Sequence, residues 1–215
     1  MDLKPLMQLS YGMYVVGADD NGKPAGCIVN TISQITSENP IVALSMNKNN
    51  YTHDVILNSG KFSVSILSEQ TDPTVISYMG FSSGRDTNKF EQVAYRMVED
   101  MPVLTDHISG AFLCKVVGSY EVETHTIILG RVVDTFNYND DIPPMSYRYY
   151  HQVVKGKAPK NAPTYVKEEV TAEQPEEEIY VCTVCGYVYH GDLTKEPDDY
   201  VCPICKQGKD KFVKK

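Results

Sequence analysis

Residues 180–187, Tyr-Val-Cys-Thr-Val-Cys-Gly-Tyr, and residues 202–205, Cys-Pro-Ile-Cys, decide the fold at the C-terminal end of this chain. Each stretch contains a C-x-x-C pair, and such a turn points two thiolates at one centre. Two pairs that face each other complete a tetrahedral shell of four sulfur ligands, which suits Zn²⁺ or iron. The spacing therefore predicts a four-cysteine metal site and leaves the choice between the two metals open.

The composition of the whole chain excludes several classes of protein. The chain has 215 residues, a formal net charge of −8 and a pI near 5.1. This acidic balance argues against a nucleic-acid partner, because nucleic-acid-binding domains carry a basic patch or stripe. The first residues lack the basic and apolar regions of a signal peptide, and no apolar run approaches the length of a membrane span. We therefore predict a cytoplasmic protein with neither nucleic acid nor membrane as a partner.

The use of cysteine fits a reducing compartment, where paired cysteines are more often metal ligands than disulfides. Four of the six cysteines form the two C-x-x-C pairs. The other two, Cys27 and Cys114, lie far apart in apolar contexts. We interpret these two as small buried hydrophobic residues.

An acidic segment that contains a proline, residues 166–178, divides the chain into two parts. It has few apolar side chains, so it cannot bury enough surface to become ordered, and we predict a flexible linker. The sequence then predicts a large domain over residues 1–165 and a small one over residues 179–215. Domains below about 40 residues usually need disulfides, a metal or a partner to fold. Here the predicted metal site would provide this stabilisation.

The pattern of the N-terminal part is mainly β, with Val, Ile, Thr and Tyr in short runs that suit pleated, half-buried strands. The predicted strands are Tyr14–Ala18, Cys27–Thr31, Ile41–Met46, Phe62–Leu67, Ala111–Glu121 and Thr126–Phe136. Asp20-Asn21-Gly22 predicts a tight hairpin turn, because Asn-Gly tolerates positive φ. Short helices are predicted over Thr52–Asn58 and Pro73–Met79. Many strands and few helices indicate a barrel or a sandwich, and periodicity does not choose between them.

The residues that flank the cysteines resemble those of rubredoxin. The matching stretches are residues 180–189, 196–205 and 208–212. The resemblance implies a small aromatic core, formed by Tyr180, Tyr187, Tyr200 and Phe212. It also favours iron over zinc, held as one Fe(SCys)₄ electron-transfer centre by Cys182, Cys185, Cys202 and Cys205. Gly186 takes a backbone position without a Cβ penalty, which helps an amide to reach a ligand sulfur and to tune the iron.

The C-terminal part departs from free-standing rubredoxin in two ways. The loop between the two pairs is shorter, as in the rubredoxin-like end of rubrerythrin. Lys206 stands where rubredoxin usually has a second glycine. We call the turns around the first and second C-x-x-C pairs the first and second knuckle. Lys206 predicts that the backbone of the second knuckle differs from the family pattern. Neither departure removes a ligand.

The N-terminal part carries neither a G-x-G-x-x-G after a strand nor a G-x-x-x-x-G-K-[ST], so a Rossmann site and a P-loop are both unsupported. Several of its stretches nevertheless resemble the flavin reductase-like, FMN-binding split-barrel family, and most closely flavoredoxin. These stretches are residues 30–37, 45–53, 82–90, 124–126, 147–151 and 156–165. The resemblance implies a split β-barrel with short helices that binds FMN. It further implies a homodimer, since the flavin pocket of this family usually lies at a dimer interface.

The resemblance also implies which residues bind FMN. The isoalloxazine ring would be held by residues that leave a strand, namely Asn30, Thr31, Ser33 and Gln34. The phosphate would be bound by hydroxyl and cationic groups, namely Ser45, Lys48, Thr52 and His53. Of these, Thr52 is predicted near a helix N-terminus, where backbone amides favour anions. Further candidates are Arg85 and Lys89, for the phosphate or ribityl chain, and His125, which would close over the ring.

An FMN domain joined to a rubredoxin-like domain resembles the high-molecular-weight rubredoxins of anaerobes. The resemblance implies an electron-transfer protein that accepts electrons from a NAD(P)H-dependent reductase. It would deliver them through the iron to a flavodiiron protein that reduces O₂ or NO. One alternative is a self-contained NAD(P)H:flavin or NAD(P)H:rubredoxin oxidoreductase, in which nicotinamide stacks directly on the flavin. Another is a binding protein in which a zinc ribbon serves as an interaction handle on a flavin-free barrel.

Overall fold

The computed structural model describes residues 4–137, 141–154, 156, 164, 179–197 and 199–214. The α-helices among these residues are α1 Tyr51–Ser59, α2 Pro73–Phe81 and α3 Tyr147–Gln152. The strands are β1 Tyr14–Asp20, β2 Lys23–Val29, β3 Ile32–Gln34, β4 Ile41–Asn47, β5 Lys61–Leu67, β6 Tyr95–Val98, β7 Met101–Leu104, β8 Ile108–Val122, β9 His125–Asn137, β10 Ile179–Cys182, β11 Val188–His190 and β12 Phe212–Lys214. Short 3₁₀ turns occupy Lys4–Gln8, Lys89–Gln92, Leu193–Lys195 and Lys209–Lys211.

Seven strands form one antiparallel sheet in the order β2-β1-β5-β8-β9-β4-β3. The β1–β2 hairpin turns at Asn21 and Gly22, whose φ angles are 52° and 92°. Positive φ at both central residues is the geometry that Asn-Gly favours, because this turn matches the twist of the flanking strands. The sheet confirms the prediction of a mainly β domain.

The predicted strands and helices are all present, and most of them extend a few residues beyond the predicted ends. Four short elements of the N-terminal domain, β3, β6, β7 and α3, were not predicted, because their sequence signals are weaker. The β6–β7 hairpin turns at Glu99 and Asp100, where φ is 48° and 60° without a glycine to announce the turn. Helix α3 has six residues and depends on Ser146, whose hydroxyl accepts a hydrogen bond from the Tyr149 amide. A helix of six residues is too short for a helical periodicity of its apolar side chains to be detected.

The sheet buries hydrophobic side chains in two clusters. One includes Phe90 and Met79 from the helical segments, and the other centres on Phe62 of β5. The Phe62 ring occupies the space left by Gly130, since a Cβ on this glycine would lie 2.5 Å from Phe62 Cζ. Cys27 and Cys114 belong to the second cluster and are 2% and 0% exposed. Both are therefore the buried hydrophobic residues that the sequence predicts.

The C-terminal residues form a separate three-stranded antiparallel sheet in the order β11-β10-β12. Its core contains the four cysteines of the C-x-x-C pairs, all of them buried, together with Leu193, Ile204 and Phe212. The Phe212 ring makes an edge contact with Tyr187 and a tilted contact with Tyr200, at centroid distances of 6.4 and 6.0 Å. The predicted aromatic core is thus present. The predicted linker, residues 166–178, lies outside the described residues.

Among the described residues, every helix is too short or too polar to cross a membrane.

Candidate metal centre and cofactor site

Four buried cysteine sulfurs at the C-terminal end converge on one point. The Sγ atoms of Cys182, Cys185, Cys202 and Cys205 all lie within 4.8 Å of one another. Cys182 and Cys205 are 3.6 Å apart, and Cys185 and Cys202 are 3.5 Å apart. A tetrahedral ion with metal–sulfur bonds of about 2.3 Å needs sulfurs about 3.8 Å apart. The site therefore fits one tetrahedral metal ion with little rearrangement.

The two C-x-x-C turns are built alike. The Gly186 amide donates to the Cys182 carbonyl at 2.9 Å, and the Lys206 amide donates to the Cys202 carbonyl at 2.9 Å. Gly186 has φ of 74° and Lys206 has φ of 58°, so both adopt the left-handed conformation. The prediction that Lys206 changes the backbone of the second knuckle is wrong: the lysine accepts the strained conformation and preserves the geometry. This costs about 1–2 kcal/mol, because Cβ crowds the following carbonyl.

Hydrogen bonds between the thiols shift their pKa values in opposite directions. The pKa of Cys202 is lowered, first by the Cys185 thiol that donates to it and then, against burial, by backbone amides. The same contact with Cys202, together with burial, raises the pKa of Cys185. The backbone at Tyr187 and Gln207 donates to Cys185 and Cys205 respectively. When a metal ion binds, the remaining thiol protons are released, because all four ligands of such a site are thiolates.

Replacing Lys206 with glycine is expected to stabilise the C-terminal domain by about 1 kcal/mol, because glycine adopts the left-handed conformation without the Cβ penalty. The midpoint of guanidinium-induced loss of the iron–thiolate absorbance measures this change. Lys206→Ala is the matched control, since it loses the same 3.3 Å bond from Lys206 Nζ to the Pro203 carbonyl but keeps Cβ. Equal midpoints for the two variants would contradict the explanation by backbone strain.

The residues predicted to hold the flavin ring lie where β3 runs beside β4. The Thr31 hydroxyl donates to the Ser45 carbonyl at 3.1 Å, and the Ser45 amide donates to the Thr31 carbonyl at 3.0 Å. These two residues and Ser33 line a cavity of about 260 Å³. The remaining lining residues are Ser10, Tyr11, Gly12, Tyr14, Ile32, Ala43 and Ile127. The lining combines hydroxyl groups with apolar side chains, a composition that suits a flat heteroaromatic ring.

Asn30 lies just before β3, and Gln34 is the last residue of that strand. Asn30 is 5% exposed, and its amide nitrogen donates to the Thr164 hydroxyl at 2.9 Å. Thr164 in turn donates to the Tyr147 hydroxyl at 2.7 Å. Gln34 is exposed and donates to the Thr36 carbonyl at 2.9 Å. The structure therefore connects Asn30 to helix α3, and both lie in stretches that resemble the FMN-binding family, although the sequence did not predict that they meet.

Ser45, predicted for the phosphate, thus lies in the cavity with the predicted ring residues. The other predicted phosphate residues of that stretch lie around the start of α1, where Asn50 caps the helix by accepting from the Thr52 amide. His53 is 7% exposed and hydrogen-bonds to both the Asp54 carboxylate and the Thr126 hydroxyl, each at 2.9 Å. Arg85 donates to the other oxygen of Asp54 at 3.0 Å. The hydrogen bond from His53, and then that from Arg85, lowers the pKa of Asp54.

Asp54 was not among the sequence candidates. It lies in the first turn of α1, and a carboxylate among basic residues would have been the signal for it. Lys48 lies at the same end of the sheet and forms a 2.6 Å ion pair with Glu121. His125 begins β9, and its Nδ1 lies 2.8 Å from the Thr124 hydroxyl. The structure thus brings cationic and hydroxyl groups together here, with two carboxylates already paired to them.

Two of the predicted phosphate ligands lie inside the protein. Thr52 is 1% exposed, and its side chain hydrogen-bonds to the Cys27 thiol. Lys89 is 6% exposed and donates to the Met79 carbonyl at 2.9 Å. Burial lowers the pKa of Lys89, because a charged ammonium loses its hydration there. The role of both residues as direct ligands stays a prediction.

Comparisons with known proteins find two different families along the chain. Residues 6–156 match the flavin reductase like domain, and residues 180–213 match the rubrerythrin, rubredoxin-like domain. The high molecular weight rubredoxin of Moorella thermoacetica is 36% identical over 99% of this chain and 99% of its own length. The ferric-chelate reductase (NAD(P)H) of Archaeoglobus fulgidus is 35% identical over 79% of this chain and 100% of its own length.

A solved structure resembles the fold. Flavoredoxin from Methanosarcina acetivorans aligns with a TM-score of 0.57 and 18% identity, over 76% of this chain and 90% of that chain. At this identity the likeness concerns the fold alone. The fold class predicted from the sequence, a flavin reductase-like β domain followed by a small rubredoxin-like domain, is confirmed.

Proposed function

Because the chain belongs to the flavin reductase-like family and shares both of its domains with the high-molecular-weight rubredoxins, we propose that it is a two-cofactor electron carrier. The observation that carries this proposal is the convergence of four buried thiols within 4.8 Å on the same chain as the flavin reductase-like domain. Its cofactors are FMN and one iron ion. FMN converts a two-electron donor into single electrons, and the iron passes one electron at a time.

The residues of the chain hold and tune these two groups. The four thiolates would bind the iron, and the amide donors at Tyr187 and Gln207 stabilise negative charge on Cys185 and Cys205. The cavity at Thr31 and Ser45 would take the flavin ring. The isoalloxazine and phosphate assignments made from the sequence remain proposals for the whole set of residues.

The donor and acceptor follow from the family resemblance. We propose a NAD(P)H-dependent reductase as the donor and a flavodiiron protein as the acceptor, in the cytoplasm of an anaerobe. Free thiols at Cys27 and Cys114 support a reducing compartment. A homodimer is supported by three exposed apolar residues close in sequence to the cavity-lining Ser10 and Tyr11, namely Leu6, Met7 and Leu9, which are 58%, 66% and 55% exposed.

A second candidate function is favoured by the ferric-chelate reductase relative, whose full length matches 79% of this chain. In that case the protein itself oxidises NAD(P)H. Anaerobic stopped-flow mixing with NADH separates the two functions. A carrier shows slow or absent flavin bleaching alone and fast bleaching when a NAD(P)H-dependent reductase is added. Fast bleaching by the purified protein alone would instead establish a self-contained oxidoreductase.

Replacing Lys48 with alanine is expected to weaken FMN binding about tenfold, or 1.4 kcal/mol. The variant loses a charge-assisted hydrogen bond to the phosphate. This loss is partly offset, because FMN binding to the variant no longer has to break the ion pair between Lys48 and Glu121. Fluorescence titration of the FMN-free protein measures the dissociation constant. Lys61→Ala is the matched control, since Lys61 also forms an ion pair, 3.0 Å from Asp100, at a comparable exposure. Equal weakening by both variants would remove Lys48 from the phosphate site.

A further inference from the structure

Among the described residues, the rubredoxin-like domain packs against the N-terminal domain through Phe81 and Val154. Phe81, the last residue of α2, and Val154, just beyond α3, pack against the buried cluster that contains the four cysteines. A Cβ placed on Gly186 would lie 3.7 Å from two carbons of the Phe81 ring, which is ordinary van der Waals contact. We call Phe81, Val154 and the buried Tyr150 the docking face; Tyr150 belongs to the N-terminal cluster against which Val154 also packs. The first iron knuckle therefore contacts this face through a residue that has no side chain.

Backbone hydrogen bonds and packing hold the docking face in place. At the end of α3 the Val153 amide donates to the Tyr149 carbonyl at 2.8 Å, and the Gly156 amide donates to the Tyr150 carbonyl at 3.0 Å. Tyr150 is only 2% exposed. Helix α2 packs on β2, where Gly80 approaches the Ile28 side chain. Both helices thus present fixed rather than mobile side chains to the knuckle.

The docking face is also connected to the flavin side of the domain. The rings of Tyr147 and Tyr150 are stacked with a centroid distance of 6.4 Å and an interplanar angle of 26°. The Tyr147 hydroxyl accepts from Thr164, which accepts from Asn30, the predicted ring-binding residue. Contacts through Thr164 and two side chains of α3 therefore link the end of the predicted flavin site to the docking face.

We propose that the docking face is the internal docking site of the chain's own first iron knuckle, and that electrons cross from flavin to iron over α3. This inference rests on the proposed electron-carrier function. In the transfer, reduced flavin loses one electron, the ferric ion gains it and becomes ferrous, and the flavin's proton leaves to solvent. No bond between the two domains forms or breaks, so the contact needs only to bring the two centres close and to release again.

The chemistry of the two knuckles explains why the first one docks here. The contact at Phe81 and Val154 is apolar, and Gly186 allows close approach of the knuckle backbone. Lys206 holds the corresponding left-handed position in the second knuckle. Its side chain, which donates to the Pro203 carbonyl at 3.3 Å, would stand between that knuckle's backbone and the Phe81 ring. The docking face therefore selects the first knuckle over the second.

Amide hydrogen exchange of the FMN- and iron-loaded full chain tests the docking. With Phe81→Glu, we expect exchange to accelerate about tenfold both in residues 182–188 and in the segment around α3, because the contact opens. Val154→Glu, on a different element, should reproduce this result. Phe81→Leu should preserve protection. Leu57→Glu is the control, since Leu57 lies near the end of another nine-residue helix and is 40% exposed.

The outcomes separate this inference from the proposed function. Wild-type exchange in residues 182–188 of both glutamate variants would overturn the docking, and so would an equal acceleration in Leu57→Glu. If exchange changes as expected but the wild-type chain never reduces its iron through flavin, the proposed function fails while the docking stands. If both hold, the glutamate variants also reduce their iron more slowly at an unchanged rate of flavin reduction.

Discussion

Replacing Cys202 with serine is expected to remove the iron and abolish electron delivery to the acceptor, while FMN stays bound. Cys202 is 0% exposed and lies 3.5 Å from Cys185, so its loss breaks the tetrahedral shell. In small metal domains the metal-binding free energy, about 10–16 kcal/mol for structural zinc, is also the folding free energy. The C-terminal domain should therefore unfold locally. Iron analysis and the visible spectrum measure the loss, and Cys205→Ser should give the same result.

The control for this variant is a cysteine outside the metal site. Cys114 is equally buried but belongs to the core of the N-terminal domain. Cys114→Ala should keep one iron per chain and full electron delivery. Full delivery by Cys202→Ser would show that electrons leave the protein by another route. The preparations must be iron-replete and anaerobic, because a four-thiolate site also binds zinc.

Replacing Phe62 with alanine is expected to lower the free energy of unfolding of the N-terminal domain by about 3–5 kcal/mol. Phe62 lies on β5, and its fully buried ring fills the space above Gly130 of β9. Removing the ring leaves a cavity that the strand backbones cannot close. Chemical denaturation followed by far-ultraviolet circular dichroism measures the change. Val133→Ala on β9 is the control, since Val133 is 41% exposed and should cost about 0.5 kcal/mol or less.

The same contact can be tested from its other side with a pair of glycines. Gly130→Ala places a Cβ 2.5 Å from Phe62 Cζ and should destabilise the domain by about 1–3 kcal/mol through overpacking. Gly118, on the neighbouring strand β8, has only Leu129 at 4.0 Å from its Cβ position, so Gly118→Ala should be tolerated. Similar effects of the two substitutions would contradict the packing of Phe62 over Gly130.

The sequence was most informative where local chemistry determines structure. The two C-x-x-C pairs predicted the metal site, because each short turn points its two thiolates at one centre. The Asn21-Gly22 turn was predictable for the same reason, since these residues favour positive φ. Lys206 misled the prediction, because the strain of one left-handed residue is small beside the free energy of metal binding.

The sequence was least informative where long-range packing decides. Lys89 looks like a surface phosphate ligand in its motif, yet the fold buries it against the Met79 carbonyl. Asp54 joined the site only because α1 and the segment after α2 meet, which brings Arg85 within 3.0 Å. The link from Asn30 through Thr164 to Tyr147 spans residues far apart in the chain. Such contacts follow from tertiary structure and leave no local pattern.

The central claim is that electrons reach the iron through FMN. Anaerobic stopped-flow mixing with a NAD(P)H-dependent reductase and its nicotinamide, with flavin and iron absorbance followed together, tests it most directly. The account predicts that in the fully loaded chain the flavin is reduced first and the iron follows, and that the iron of the FMN-free chain stays oxidised. Iron reduction in the FMN-free chain at the rate of the loaded chain would contradict it.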